Sequence, residues 1–400
     1  MQNENNNEIK DLISELISSP APAEEAKETE REYTPEELAE INRIKEEAVA
    51  EYEAKKAAEE AELNARKEEA KKAMKKTFSA CGWSLLLLMG VWLGIVLGFS
   101  VAAGVLEGLS ISGLWGFSLT PLELYTKYYL IINEAALLVA VFIASLILKT
   151  KDSAKPEKSP VSFKKFLMLI PISFAVRTAG TLVSNAISMV TGSYDASTEL
   201  TELLLDMDIW VVVICVGIAA PIIEELFFRK MLIDRLRPLG EMACLVVSAL
   251  FFALFHQNIS QFFYAFGMGL VLAHLYYHTG RYSLAVVIHM IFNIVGVVPI
   301  FFYNSLLDML GILYAIMDGS SSWEQLIPFI PTIAAYLVYA LVIFALSIAG
   351  IIIIGMNYKK FKIQKSDSPL SPAEQRKVFW KTSGVIAAVV VTGALTLLSL

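Results

Sequence analysis

Long apolar stretches follow one another from Cys81 to Leu400 and limit this chain to folds that suit a lipid bilayer. Each stretch approaches the roughly 20 residues that an α-helix needs to cross about 30 Å of hydrocarbon, although the fifth is short. The predicted spans are Cys81–Leu106, Tyr128–Leu148, Phe166–Thr191, Ile209–Leu232, Met242–His256, Phe262–His278, Leu284–Tyr303, Ile327–Met356 and Phe379–Leu400. The sequence therefore predicts an all-α, polytopic transmembrane helical bundle of about eight or nine spans with an N-terminal polar helical arm.

The composition of the 400 residues is that of a membrane protein. Hydrophobic residues make up 56% and charged residues 18%, whereas charged residues make up about a quarter of soluble domains. The net charge of −7 combines an acidic arm, acidic outer loops and basic inner loops, so it says little about partners. We expect no nucleic-acid partner. Cys81, Cys215 and Cys244 lie in or beside apolar stretches without metal or disulfide spacing, which is typical of packing residues.

Residues 1–76 form a charged arm, which we predict to be helical and cytoplasmic. Apolar residues from Ile9 to Ile17 follow the spacing of one helix face, which could dock on a protein partner or on the bilayer surface. A second helix begins after Thr34, where Pro35 and Glu37 complete a capping box. The first residues lack the basic and apolar regions of a cleavable signal peptide. Residues 77–400 form the predicted transmembrane domain.

Lysine and arginine residues lie in alternate loops between the predicted spans. They precede the first span, separate the second from the third, and follow the fourth and the eighth. By the positive-inside rule these loops face the cytoplasm, as does the N-terminal arm. We therefore expect an integral, multi-pass protein whose lipid partner is the bilayer itself.

Three ionisable residues, Glu224, Glu225 and Arg229, lie near the end of the fourth predicted span. A charge near the bilayer centre costs at least about 2.5–3.5 kcal/mol on insertion scales, so such residues usually face a polar cavity and a partner. At about 100° per residue, Glu225 and Arg229 share a helix face and can form an ion pair. Glu224 points a quarter turn away and is left for another task. The alternative is that all three reach from the helix end to the membrane surface.

All four histidines follow the glutamate pair. His256 ends the fifth span, whereas His289 and Asn293 project from one face of the seventh because they lie four residues apart. At 1.5 Å per residue, these three residues lie at a depth similar to that of the glutamates and can converge in one buried layer. His274 and His278 lie towards the cytoplasmic end of the sixth span, where polar residues are common, and we assign them to the membrane interface.

Such a layer suits hydrolysis. Glu224 is a candidate general base for a water molecule, and His256 can hold the same water or move its proton. His289 and the Asn293 amide are donors of the kind that stabilise an oxyanion. Two histidines and one glutamate could also bind zinc with an open position. Against zinc, these three residues come from three helices, and the sequence contains no His-Glu-x-x-His motif.

Three motifs in this region resemble those of a known family. They are Glu224-Glu225-x-x-x-Arg229, Phe252-x-x-x-His256 and His289-x-x-x-Asn293. In this order on successive helices, they are similar to the motifs of the CAAX-protease and bacteriocin-processing intramembrane endopeptidases, also called CPBP or Abi proteins. The resemblance covers residues 203–302, which it implies to be a catalytic core in an all-helical membrane domain.

The resemblance implies hydrolysis of a peptide bond in a membrane-associated protein or a prenylated peptide. By the pattern of the family, Glu224 and His256 activate the water, and His289 with Asn293 forms the oxyanion site, while Glu225, Arg229 and Phe252 support them. The family has been described both as metalloproteases and as metal-independent glutamate-type peptidases. We expect no obligatory metal, with zinc or another divalent ion at Glu224, His256 and His289 as the alternative. The expected location is a bacterial plasma membrane.

Two interpretations from other functional classes stay open. An ion-coupled transporter would use intramembrane charges as a relay, and Glu134 and Arg177 are further candidates for one, although no second copy of the Glu-Glu pattern occurs in the other half. The simpler expectation for these two residues is that they pair with each other or with Glu225. A non-catalytic membrane scaffold or immunity protein could also keep this fold and present the arm to a partner.

Overall fold

The computed structural model describes residues 34–108, 119–149, 156, 158–191, 204–205, 207–360, 363–364 and 366–398. Within these ranges the chain forms helices and no strand, which confirms the all-α prediction. The amphipathic stretch predicted between Ile9 and Ile17 lies outside the described residues.

Eleven helices are numbered here in chain order. They are α1 (Pro35–Gly108), α2 (Pro121–Leu148), α3 (Phe163–Thr191), α4 (Ile209–Leu239), α5 (Glu241–Phe255), α6 (Ile259–Thr279), α7 (Tyr282–Val297), α8 (Ile300–Met317), α9 (Ile330–Asn357), α10 (Pro372–Trp380) and α11 (Ser383–Leu398). A short 3₁₀ segment, Trp323–Phe329, precedes α9.

The chain divides into two compact units, Met1–Lys72 and Ala73–Leu400. The described part of the first unit is the start of α1. The predicted capping box is present there, because the Thr34 backbone N–H donates to Glu37 Oε2 over 2.9 Å and the Glu37 N–H donates to Thr34 Oγ1 over 3.3 Å. Most of its side chains are exposed, as expected of a charged helix that buries no continuous apolar face. The predicted boundary after Lys76 falls inside α1, which continues unbroken.

The second unit is a multi-pass membrane domain. Within the described residues, seven apolar helical segments are long enough to cross a bilayer, with α7 and α8 counted as one segment, or eight if α10 and α11, which meet at a 66° bend, count as one span. This confirms the predicted polytopic helical bundle. The fifth predicted span is the 15-residue α5, whose length of about 22 Å is too short to cross the hydrocarbon.

Backbones approach closely where α3 packs against α6 and α9. A Cβ atom at Gly180 of α3 would overlap the backbone of Tyr264 in α6, and one at Gly350 of α9 would overlap the backbone of Pro171 in α3. Small residues at such crossings are typical of membrane helices, where association depends on packing because lipid tails are as apolar as the side chains. Gly269 of α6 likewise lies against the backbone of Ala249 in α5, and the turn between these two helices carries His256.

We expect Gly180→Ala to lower the free energy of unfolding by about 1–3 kcal/mol, because the added methyl group forces the two backbones apart. The measurement is denaturation of the purified protein by SDS in mixed micelles, followed by circular dichroism. Gly94→Ala in α1 is the matched control, because a Cβ there meets no atom within 4 Å. Equal destabilisation by both substitutions would contradict the close-packing argument.

Candidate active site

The helix that carries the glutamate pair, α4, is not a regular α-helix. Val213–Ala219 and Leu226–Met231 have π-helical hydrogen bonding, and the α-helical turn Ala220–Glu225 lies between them. Single π-helical turns are rare in proteins, and those that do occur are often at functional sites. The assumption of 100° per residue is therefore wrong within Val213–Ala219 and Leu226–Met231, and each π segment turns the neighbouring side chains away from their regular positions.

Side chains from α5 and α7 donate hydrogen bonds to backbone carbonyls along α4. The donors and acceptors are Asn293 Nδ2 to Val216 O (2.9 Å), Ser248 Oγ to Phe228 O (2.9 Å), and the Tyr282 hydroxyl to Ile222 O. Backbone groups inside a membrane need partners from neighbouring helices wherever a helix departs from regular geometry. These bonds join α4 to both helices that carry the histidines.

The predicted ion pair between Glu225 and Arg229 is present at the centre of the domain. Arg229 Nε lies 3.0 Å from Glu225 Oε2, and both side chains are fully buried. The other carboxylate oxygen of Glu225 lies 2.9 Å from Nδ1 of His289. An ionised carboxylate only accepts hydrogen bonds, so His289 Nδ1 carries a hydrogen and donates a hydrogen bond to Glu225. Glu225 therefore links the arginine to the histidine and fixes the plane of the imidazole ring.

The ring of Phe252 is the common apolar neighbour of the charged groups. The Arg229 guanidinium lies over this ring, 4.5 Å from its centroid, where a cation is attracted by the negative face of the aromatic system. The rings of His256 and His289 meet it edge to face, with centroid distances of 4.9 Å and 5.6 Å. Phe252 thus brings α4, α5 and α7 into contact around one side chain.

Glu224 is placed differently from its neighbour. Its side chain is 11% exposed, and Oε2 lies 3.8 Å from His289 Nε2, which is too far for a direct hydrogen bond. That oxygen is itself buried and has no hydrogen-bond partner within the described residues. A buried carboxylate oxygen without a partner is costly, so this atom is a candidate for a hydrogen bond from a substrate or a water molecule.

His256 lies at the turn that follows α5. Its Nδ1 is 2.8 Å from the Phe252 carbonyl, and since a carbonyl only accepts, Nδ1 donates and Nε2 is the basic nitrogen of the neutral ring. Asn293 lies one helical turn after His289, and its amide nitrogen is already bonded to Val216. An amide has two N–H groups, so one is used to hold the side chain and one is left.

Glu134 of α2 is a further carboxylate at this site that the sequence pattern did not assign to it. Its Oε1 accepts from Asn133 Nδ2 over 3.2 Å, its Oε2 is buried without a hydrogen-bond partner in the described part of the chain, and α2 packs against the turn Ala220–Glu225 that carries Glu224. The expected pairing with Arg177 is wrong, because no ion pair joins the two in the described ranges. Arg177 instead lies over the ring of Phe292, 5.1 Å from its centroid.

The candidate zinc ligands are not gathered tightly. In the described residues, the donor atoms of Glu224, His256 and His289 do not form a group within 4.8 Å of one another. His289 also directs Nδ1 to Glu225, so only Nε2 faces the remaining space. A metal bound by these three residues would require their donor atoms to move closer together, and zinc at this site stays a prediction.

The region that carries this cluster is similar to known proteins. Residues 206–295 match the family described as type II CAAX prenyl endopeptidase, Rce1-like. The chain is also similar to the membrane-embedded CAAX protease MroQ of Staphylococcus aureus (strain USA300), at 29% identity over 198 residues, which cover 46% of this chain and 76% of that protein. No solved structure matches. The chain is therefore a multi-pass membrane protein in which residues 206–295 are similar to the Rce1-like, CAAX protease family.

Proposed function

We propose that this protein is an intramembrane endopeptidase that hydrolyses a peptide bond of a membrane-associated protein or a prenylated peptide. The observation that carries the proposal is the buried Glu224 oxygen, which has no hydrogen-bond partner in the described residues and lies 3.8 Å from His289 Nε2. A general base must reach the proton that it removes directly or through one water molecule. The similarity of residues 206–295 to the Rce1-like family supports peptide hydrolysis as the reaction.

In the proposed mechanism Glu224 takes a proton from the attacking water, and the resulting hydroxide adds to the carbonyl carbon of the scissile bond. His256 holds the water through Nε2, the nitrogen that is not engaged by the Phe252 carbonyl. When the tetrahedral intermediate collapses, the proton on Glu224 passes to the leaving amine. The carboxylate is then restored for the next cycle.

His289 and Asn293 are the proposed donors to the oxyanion. A protonated His289 donates from both nitrogens, and its charge is balanced by Glu225, 2.9 Å from Nδ1. The second N–H of Asn293 supplies the other donor, while its first holds the side chain on Val216. Donors that are already held in place stabilise developing charge without reorganisation during the reaction. Glu225, Arg229 and Phe252 are positioning residues, since they act through His289 and His256.

No obligatory metal takes part in this mechanism. The proposed partners are the bilayer and a membrane-associated substrate, and the N-terminal arm is proposed to bind a protein partner in the cytoplasm. The proposed location is a bacterial plasma membrane with the N-terminus inside. The substrate class is supported by the similarity to a family of prenyl endopeptidases and to MroQ, a CAAX protease.

The test is cleavage of quenched fluorescent peptides by the purified protein in detergent, with and without a chelator. The panel contains a farnesylated CAAX peptide, the same peptide without the lipid, and transmembrane segments with cytoplasmic extensions. We expect cleavage of at least one membrane-bound substrate in both conditions and none of the soluble peptide. Cleavage of the unlipidated peptide at an equal rate would contradict a membrane-bound substrate, and background signals on the whole panel would favour the scaffold or transporter readings.

A further inference from the structure

A second cluster of ionisable side chains lies away from the candidate active site. Glu241 opens α5, and His274 and His278 lie one turn apart near the end of α6. Glu241 Oε1 is 2.8 Å from His278 Nε2 and 3.6 Å from His274 Nδ1, and the two imidazole centroids are 4.4 Å apart. The assignment of both histidines to a simple polar cap at the membrane interface therefore misses their common contact with a carboxylate.

The burial of Glu241 makes this cluster costly. Its side chain is 1% exposed, and a buried carboxylate needs a cation or several hydrogen bonds to compensate its charge. Its second oxygen accepts the backbone N–H of Gln364 over 2.8 Å. In the described part of the chain its ion-pair partners are the two histidines, which carry charge only when protonated. A bound cation would balance the charge of Glu241 and use the lone pairs of both rings.

The donor set and its spacing suit a transition metal. One carboxylate oxygen and two imidazole nitrogens are ligands that Zn²⁺ and related ions accept, with a fourth position open to water. Two histidines four residues apart on one helix face are a common way to present such nitrogens. The three ligand atoms all lie within 4.8 Å of one another. Donors around a tetrahedral ion with bonds of about 2.05 Å are roughly 3.3 Å apart, so small side-chain movements complete the geometry.

The position of the cluster separates it from the reaction centre. Helices α5 and α6 form a hairpin, and His256 lies at the turn between them. Glu241 precedes His256 by 15 residues, which is about 22 Å along α5. The two helices pack along their length, and Gly269 of α6 lies against the backbone of Ala249. The cluster therefore joins the open ends of the hairpin whose closed end carries His256.

We propose that Glu241, His274 and His278 form a binding site for one divalent transition metal of the Zn²⁺ class, which clips α5 to α6 at the end far from His256. The metal is structural, since the cluster lies about 22 Å along α5 from the catalytic groups. Through the bond from Gln364 to Glu241, the same ion also holds the segment that follows α9. Zinc bound at this site would not take part in hydrolysis.

The test measures metal rather than activity. The full chain is purified in detergent, its affinity tag is removed, and it is dialysed against Zn²⁺ and then against metal-free buffer. Elemental analysis is expected to find about one zinc per chain in the wild type. Titration of the stripped protein with Co²⁺ is expected to give the visible absorption of a tetrahedral ion, and His278→Gln to weaken Co²⁺ binding at least about 100-fold.

Glu224→Gln is the matched variant, because it changes a candidate ligand of the reaction centre and should keep the zinc and the Co²⁺ spectrum. Circular dichroism checks that each variant is folded, and the titrations of the wild type and of Glu224→Gln together decide the question even if His278→Gln does not fold. Two results would overturn the proposal. One is wild type that binds no zinc and gives no Co²⁺ spectrum. The other is metal that is kept in His278→Gln but lost in Glu224→Gln.

Discussion

Glu224→Gln is expected to lower kcat for the cleaved substrate by at least about 10³-fold while KM changes little. A glutamine has the size of glutamate and keeps an oxygen in the same place, but it cannot accept the proton of the attacking water. General bases contribute typically 10²–10⁴-fold to the rates of enzymes. Glu224 is the proposed group that faces the substrate because its Oε2 has no hydrogen-bond partner in the described residues and lies 3.8 Å from His289 Nε2.

Fixed-time cleavage assays on the substrate identified from the peptide panel measure this change in kcat. The control is Glu324→Gln, an exposed glutamate in the loop between α8 and α9, for which we expect no change in kcat. The thermal midpoint of Glu224→Gln should equal or exceed that of the wild type, because the change removes a poorly satisfied buried charge. A variant with full activity would eliminate Glu224 as the base, and Glu134, whose Oε2 is also buried without a hydrogen-bond partner in the described residues, would be examined next.

The sequence was sufficient to predict the helical bundle and the ion pair between Glu225 and Arg229. Charges are costly in lipid, so Glu225 and Arg229 were each expected to have a partner. Their spacing of four residues indicated that they pair with each other. Helical spacing likewise placed His289 and Asn293 on one face. These predictions succeeded because each depended on local geometry and on the low polarity of the surroundings.

Other features depend on contacts between distant parts of the chain and could not be predicted. The π segments of α4 leave no mark in the hydropathy pattern, and the side chains that bond to its carbonyls come from α5 and α7. The partner of His274 and His278 is Glu241, which lies more than 30 residues earlier and looks like an ordinary first-turn acid of a helix. The fifth predicted span, α5, was already recognised as short from its sequence, and it has 15 residues.

Arg229→Met is expected to destabilise the protein by about 3–5 kcal/mol, the cost of leaving one member of a buried ion pair without its partner. Methionine fills much of the same volume and can keep the contact with the ring of Phe252, so the loss reports the charge. The second change, Glu225→Gln, removes the charge left behind. Because a neutral pair of similar volume is often as stable as a buried ion pair, the double variant should regain at least about half of the lost free energy.

Unfolding by SDS in mixed micelles measures the four members of this double-mutant cycle. The reference cycle uses Glu40 and Arg43, which form a 2.7 Å pair on the exposed surface of α1 and should show no measurable coupling. A loss for Arg229→Met as small as that for Arg43→Met would contradict a stabilising role for the pair.

The activity of the same double variant separates positioning from stability. Even when its fold is restored, Glu225→Gln gives His289 Nδ1 a neutral acceptor in place of the carboxylate 2.9 Å away. The protonated form of His289 then loses the charge that balances it, so the proposed oxyanion donor is weaker. We expect kcat to stay at least about tenfold below the wild type with KM nearly unchanged. Full recovery of both stability and kcat would mean that the ion pair only supports the fold and that His289 does not depend on Glu225.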